Sequence, residues 1–313
     1  MKRAQNIIAE SKLTLPVTAV FSFVVWLLSG LVEQRLWLQL ACLASTVYLL
    51  VELTNQNALL RVRSRMVSST FIMLSSSACF LIPQLTGAVV QLCVVATFFM
   101  LFQTYQDSQA VGRTYFAFMA LGLSTLLFVQ MLWYVPVLWV LMATQLQSLS
   151  WRSWWASLLG LATPYWFLLL WLVSPFQMTA DAAADLSFFG QHFSQLAEVH
   201  FEEPTLTAGR IAVFAVTLVL AVAGMIHFQQ YSFEDKIRIR LLYGFFTTVT
   251  IVTLLFIIAQ PHHFDVLLPL CFVCASPLIA HVFTFTATRL SNILFFAALA
   301  VVIGVTVYNL LHL

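Results

Sequence analysis

The chain has 313 residues, of which 61% are hydrophobic and 8% charged, with a mean hydropathy of +0.94. A soluble domain carries about 25% charged residues, so this composition cannot cover a globular surface with solvated side chains. It excludes soluble, disordered, collagen-like and secreted disulfide-rich classes and leaves a membrane protein. A net charge of +2, from 14 Lys and Arg against 12 Asp and Glu, is too balanced to point to a nucleic-acid partner.

Met1 to Lys12 is polar and basic, and the run from Leu13 to Val32 has no small-residue cleavage pattern after it. It reads as a first transmembrane helix that also directs insertion. Apolar stretches bounded by charged residues or by Pro and Gln predict spans at 13–32, 36–53, 66–82, 86–104, 115–131, 132–147, 154–173, 208–228, 241–259, 265–284 and 292–311. A β-barrel is excluded because its segments alternate in polarity over about ten residues, whereas these runs are continuously apolar. Region 115–147 is the ambiguous one, too long for one helix and short for two.

Basic residues decide it, since Lys and Arg are retained in cytoplasmic loops. With a helical hairpin turning near Gln130 to Tyr134 and the N-terminus inside, 12 of the 14 basic residues face the cytoplasm and only Arg35 and Arg210 lie outside. The expected fold is therefore an all-α, polytopic bundle of about eleven spans, forming one transmembrane domain over residues 1–313 with the C-terminus outside. Most Trp residues fall near span ends, as amphipathic rings do at headgroup depth.

One loop is long, residues 174–206, and it lies outside. Leu186, Phe189, Phe193 and Leu196 recur at spacings of three and four, which predicts an interfacial helix, either a connector resting on lipid or a lid. The five cysteines, Cys42, Cys79, Cys93, Cys271 and Cys274, sit in apolar runs and read as packing residues.

Ionisable groups in or beside spans are costly and become candidates for function. On the outer side these are Glu33 and Arg35 in the first turn, Arg210, and His262, His263 and Asp265 after Pro261. Clustered imidazoles beside a carboxylate can bind phosphate or transfer protons near neutral pH. Adjacent histidines project differently, so no metal site is assigned to them. His192, His200, Glu198, Glu202 and Glu203 read as acidity of the long loop, without the spacing of a zinc hydrolase. On the inner side Arg61, Arg63 and Arg65, and Lys236, Arg238 and Arg240, fit topology and contact with anionic headgroups. Glu52, His227 and His281, near inner span ends, are available as partners for these bases. Gln39, Gln91, Gln103 and Gln130 supply uncharged polar contacts between helices. No nucleotide-binding loop, dinucleotide fingerprint or nucleophile elbow occurs, and no cofactor is expected.

The stretch from Glu52-Leu53-Thr54-Asn55 through Phe102-Gln103-Thr104-Tyr105-Gln106-Asp107 to Trp151-Arg152-Ser153-Trp154-Trp155 and Leu158-Leu159-Gly160-Leu161-Ala162-Thr163-Pro164-Tyr165 resembles an uncharacterised family of polytopic inner-membrane proteins of Gram-negative bacteria. That resemblance implies an architecture and a bacterial inner-membrane location, without a reaction. More faintly, His262-His263-Phe264-Asp265-Val266-Leu267-Leu268-Pro269-Leu270 resembles the end region of integral-membrane glycosyltransferases that use lipid-phosphate sugars. This second resemblance implies envelope biogenesis, with a polyprenyl-phosphate-linked sugar as donor and Glu33 and Asp265 as catalytic carboxylates. Arg35, Arg210, His262 and His263 would then bind phosphate. The alternatives are a structural subunit with membrane-protein partners and a transporter of lipid or small solute.

Overall fold

The computed structural model describes residues 3–62, 64–172, 189–196 and 206–312. Lys2, Arg63, Asp181, Asp185, Leu186, Glu198, His200, Glu202 and Glu203 lie outside these residues, as does most of the segment expected to form the interfacial helix. The described residues are helical, with no strand among them. The helices are α1 (Ala4–Glu10), α2 (Thr14–Leu28), α3 (Trp37–Asn57), α4 (Met66–Ser77), α5 (Leu85–Phe102), α6 (Val111–Leu127), α7 (Tyr134–Thr144), α8 (Trp151–Leu172), α9 (described over 189–194), α10 (Ala208–Tyr231), α11 (Ile237–Ala259), α12 (Phe264–Phe285) and α13 (Arg289–Leu311).

Six of these are long and apolar enough to cross a membrane: α3, α5, α10, α11, α12 and α13. Helices α1 and α2 pass the same test only as a pair, and they are bent by 87° at the break between them. Helices α4 and α6 are shorter, with 12 and 17 residues. The 115–147 region breaks into α6, a 3-10 turn at Val129–Trp133, and α7.

The chain divides into two compact units, residues 1–91 with 203–313, and residues 92–202. In the first, α12 is the central element. From Leu267 to His281 every residue is buried, as expected for a helix that is apolar all round. Its neighbours are α10, α11, α4 and α1. Two prolines interrupt its hydrogen bonding, Pro269 and Pro277. Proline orphans the carbonyl four residues earlier, and the Ser276 hydroxyl donates to the carbonyl of Val273 that Pro277 leaves free, at 3.1 Å. The last carbonyls of α12 would also lack partners. Here α1 supplies them: the Asn6 amide donates to Thr284 O at 3.1 Å and the Gln5 amide to Thr286 O and, at 3.3 Å, to Phe283 O. Amides placed after the polar N-terminus thus cap a helix about 280 residues away in sequence.

Threonines inside the apolar helices are satisfied by their own backbone. Thr46, Thr217, Thr250, Thr253 and Thr306 each donate to the carbonyl four residues back, which removes the cost of an open hydroxyl in an apolar medium. Helix α13 presents Leu290, Ile293 and Leu294 outward, each more than half exposed. A soluble surface would not carry such a row of aliphatic side chains.

In the second unit α6 and α8 run parallel and close together. A Cβ on Gly122 would stand 2.7 Å from the Leu161 carbonyl oxygen, so only glycine allows this approach. Tyr165 of α8 donates to Thr125 Oγ1 at 2.9 Å, and its ring stacks on Phe193 of α9. His192 is buried, with Nε2 2.9 Å from the Thr125 carbonyl. The described part of the long loop therefore folds back onto α6 and α8. Trp151 stacks on Trp154, which meets Trp155 edge-on, at the start of α8.

Candidate functional site

Helices α10 and α12 lie side by side and parallel, and polar groups join them at both ends. The close approach is set by Gly224, where a Cβ would meet the Leu278 carbonyl carbon at 2.8 Å. At the first end, Arg210 Nη2 pairs with Asp265 Oδ2 at 2.9 Å. At the other, His227 Nδ1 is 3.2 Å from His281 Nδ1. Sixteen residues of α12 separate the two junctions, about 24 Å of helix.

The first junction contains two of the residues singled out in the sequence. Asp265 Oδ2 also accepts from Gln84 Nε2 at 2.8 Å, while Arg210 lies over the Phe80 ring, 5.3 Å from its centroid. Asp265 Oδ1, Gln91 Nε2 and Ser75 Oγ are buried and make no hydrogen bond within the chain. All three residues line one small cavity of about 50 Å³, together with Gln39 and Gln84. That space is large enough for a few waters, each needing about 10–15 Å³ by the same measure. It is far below the roughly 300 Å³ of a small-molecule pocket. Glu33 and Arg35 are exposed in the turn between α2 and α3 and do not line this cavity. His262 and His263 pack against each other, ring centroids 5.2 Å apart, in the turn before α12, and do not line it either. Asp265 and Arg210 are thus brought together, and the other four candidates are not part of their cavity.

The second junction was only partly visible in the sequence. His281 is fully buried, and its Nε2 is 3.2 Å from Asp235 Oδ2, a carboxylate whose side chain is 1% exposed. Arg61 closes the cluster: its Nε donates to Asp235 Oδ1 at 2.6 Å and its Nη1 to Glu234 Oε2 at 2.8 Å. Its guanidinium lies 4.7 Å from the Phe285 ring centroid. Burial opposes the charge on Arg61, but hydrogen bonds and attraction from Glu234 and Asp235 outweigh it and raise its pKa further. Tyr243 of α11 packs its ring on His281, and its buried hydroxyl makes no hydrogen bond within the chain. Nearby, Arg238 Nη2 donates to Asn57 Oδ1 at 2.7 Å. Sequence proximity to the basic clusters marked His227 and His281 as possible partners. Asp235, which joins Arg61 to His281, was not identified.

A larger cavity, about 440 Å³, lies at the His281 end. Ile279 and Phe283 of α12, Met66 and Ser69 of α4, Val17 of α2 and Ala298 of α13 are among its walls. The lining is almost wholly apolar. The hydroxyl residues Ser11, Thr14, Thr18, Ser69 and Thr70 also reach it, and of these Ser69 Oγ is buried and without a hydrogen bond. The cavity opens beside α2, where Leu13 and Val17 are 69% and 65% exposed. Lys12 sits between two lining residues, Ser11 and Leu13, and Arg65 precedes a third, Met66. Among the described residues, no group of three His, Cys, Asp or Glu side chains could hold a metal ion. All five cysteines are free and buried.

Comparisons of this chain with protein-family models, with curated proteins and with solved structures returned no match.

Proposed function

We propose that this chain is a multi-pass protein of the bacterial inner membrane, serving envelope biogenesis by holding the tail of a lipid or lipid-linked intermediate. The observation that carries this reading is the 440 Å³ apolar cavity, whose volume falls within the range of ligand sites. Its opening lies among side chains suited to the bilayer interior. Lys12 and Arg65, adjacent in sequence to lining residues, are suited to an anionic headgroup. The topology proposed with it has about eleven spans, the N-terminus inside and the C-terminus outside. In that orientation the cavity belongs to the cytoplasmic half of the bundle.

The test is identification of lipid retained by the chain purified in mild detergent, using mass spectrometry. The wild type is expected to carry a bound lipid that Ala298→Trp, which fills the cavity, releases. Equal retention by both proteins would contradict the reading.

A second reading is favoured by Asp265. Its Oδ1 has no hydrogen bond within the chain, and the residue lines a small cavity and pairs with Arg210. A carboxylate so placed could activate an acceptor hydroxyl, with Arg210 binding the phosphate of a polyprenyl-phosphate-linked sugar. The cavity there must widen before such a donor enters. Asp265→Asn should abolish glycan assembly while leaving the protein in the membrane, and unchanged assembly would remove the transferase-like role.

A further inference from the structure

The geometry points to a buried proton-binding relay at the inner end of the α10 and α12 seam, running from His227 through His281 to Asp235. The three groups form a continuous chain: His227 Nδ1 to His281 Nδ1 at 3.2 Å, then His281 Nε2 to Asp235 Oδ2 at 3.2 Å. Chemistry fixes the proton positions in the resting state. An ionised Asp235 only accepts, so His281 carries its proton on Nε2 and offers the Nδ1 lone pair. His227 must then donate from Nδ1, which leaves its Nε2 as a free acceptor. His227 is half-buried, whereas His281 and Asp235 are enclosed. The entry point of the relay is therefore the His227 Nε2 atom.

The charge balance shows why a proton belongs there. Arg61 brings one positive charge to two carboxylates, Asp235 and Glu234, so with neutral imidazoles this cluster carries one unit of excess negative charge. Water reaches Glu234, which is 46% exposed, but not Asp235, whose side chain is 1% exposed and shares Arg61 with it. One added proton neutralises the group. Every element packed on His281 is accounted for: α10 brings His227 and, stacked on it, Tyr231; the turn after α10 brings Glu234 and Asp235; the loop after α3 brings Arg61; α11 brings Tyr243; and α12 itself brings Phe285.

The transfer balances without any other reactant. A proton from water binds His227 Nε2, and the His227 Nδ1 proton passes to His281 Nδ1. His281 becomes an imidazolium whose Nε2–H still faces Asp235, and His227 returns to a neutral ring with its proton on the opposite nitrogen. Release reverses these steps. His281 lies on the segment of α12 beyond Pro277 that also carries Ile279 and Phe283, two walls of the apolar cavity. Proton uptake thus acts on a segment already separated from the rest of α12 by a proline.

The test is magnetic resonance of the full chain in lipid bilayers with ring-¹⁵N histidine, the signals assigned with His227→Gln and His281→Gln. Between about pH 8 and pH 5, His281 is expected to change from the Nε2–H tautomer to imidazolium. Over the same range His227 should stay neutral and move its proton from Nδ1 to Nε2. In His227→Gln, and separately in Asp235→Asn, His281 should remain neutral throughout. A wild type in which His281 never protonates, or in which His227 becomes the imidazolium, would overturn the relay. So would a His227→Gln protein whose His281 titrates as before. The wild-type tautomer change decides the question even if a variant fails to fold.

Discussion

Asp235 receives Arg61 Nε at 2.6 Å from a loop 174 residues away in sequence, and that contact anchors the turn after α10 to the loop after α3. The carboxylate is enclosed, whereas neighbouring Glu234 is 46% exposed and shares the same arginine. Removing the enclosed partner leaves Arg61 Nε and the buried His281 Nε2 without their partner, while Arg61 keeps Glu234. Asp235→Ala should lower stability by about 3 kcal/mol and Glu234→Ala by less than about 1 kcal/mol. Unfolding of the purified variants in mixed micelles measures the difference.

Gly224 sets the distance between α10 and α12. A methyl group there meets the Leu278 backbone, which cannot yield as a side chain end would. Gly224→Ala should cost about 1–3 kcal/mol by forcing the helices apart. Gly304, in α13, has nothing within 4 Å of an added Cβ. Gly304→Ala should therefore be neutral or stabilise by up to about 1 kcal/mol through helix propensity. Melting temperatures of the two variants should move in opposite directions or differ clearly in size.

The caps that α1 gives α12 are separable from the core. The double variant Gln5→Ala with Asn6→Ala leaves the terminal carbonyls of α12 buried and unpaired, at a cost of about 1–3 kcal/mol. Hydrogen exchange should quicken at residues 284–292, while the middle of α12 keeps its protection.

Hydropathy located every helix between Thr14 and Leu311 except α9, because each apolar run is local in sequence. The placement of Lys and Arg, rather than hydropathy, divided 115–147 into the α6 and α7 spans. Hydropathy did not show that α4 is only 12 residues long, or that the α1 and α2 pair bends sharply at residues 11–13. Those features depend on packing, and the bend follows from α1 docking on a helix end far along the chain. Asp265 was visible as a carboxylate beside a span, and Arg210 as one of two outer basic residues; their pairing across 55 positions was not. The Asp235 cluster was harder still. Its partners lie 46 and 174 positions away, and each alone looks like an ordinary polar residue at a helix end.

The proposed topology gives a direct expectation for reporter fusions. Enzymes active only outside the cytoplasm should be active when joined after Pro261 or at the C-terminus, and inactive when joined within residues 61–65 or after Lys236. The reverse pattern would invert the cavity and place His227 on the outer side.

The most direct test of the lipid-holding reading is photocrosslinking of the full chain in bilayers with a lipid bearing a photoactivatable group near the end of its tail. Crosslinks are predicted in residues 66–74, 279–283 and 295–303, and Ala298→Trp should abolish them. Crosslinks confined to outward-facing positions such as Leu28, Trp171 and Ile258, and unchanged in Ala298→Trp, would contradict it.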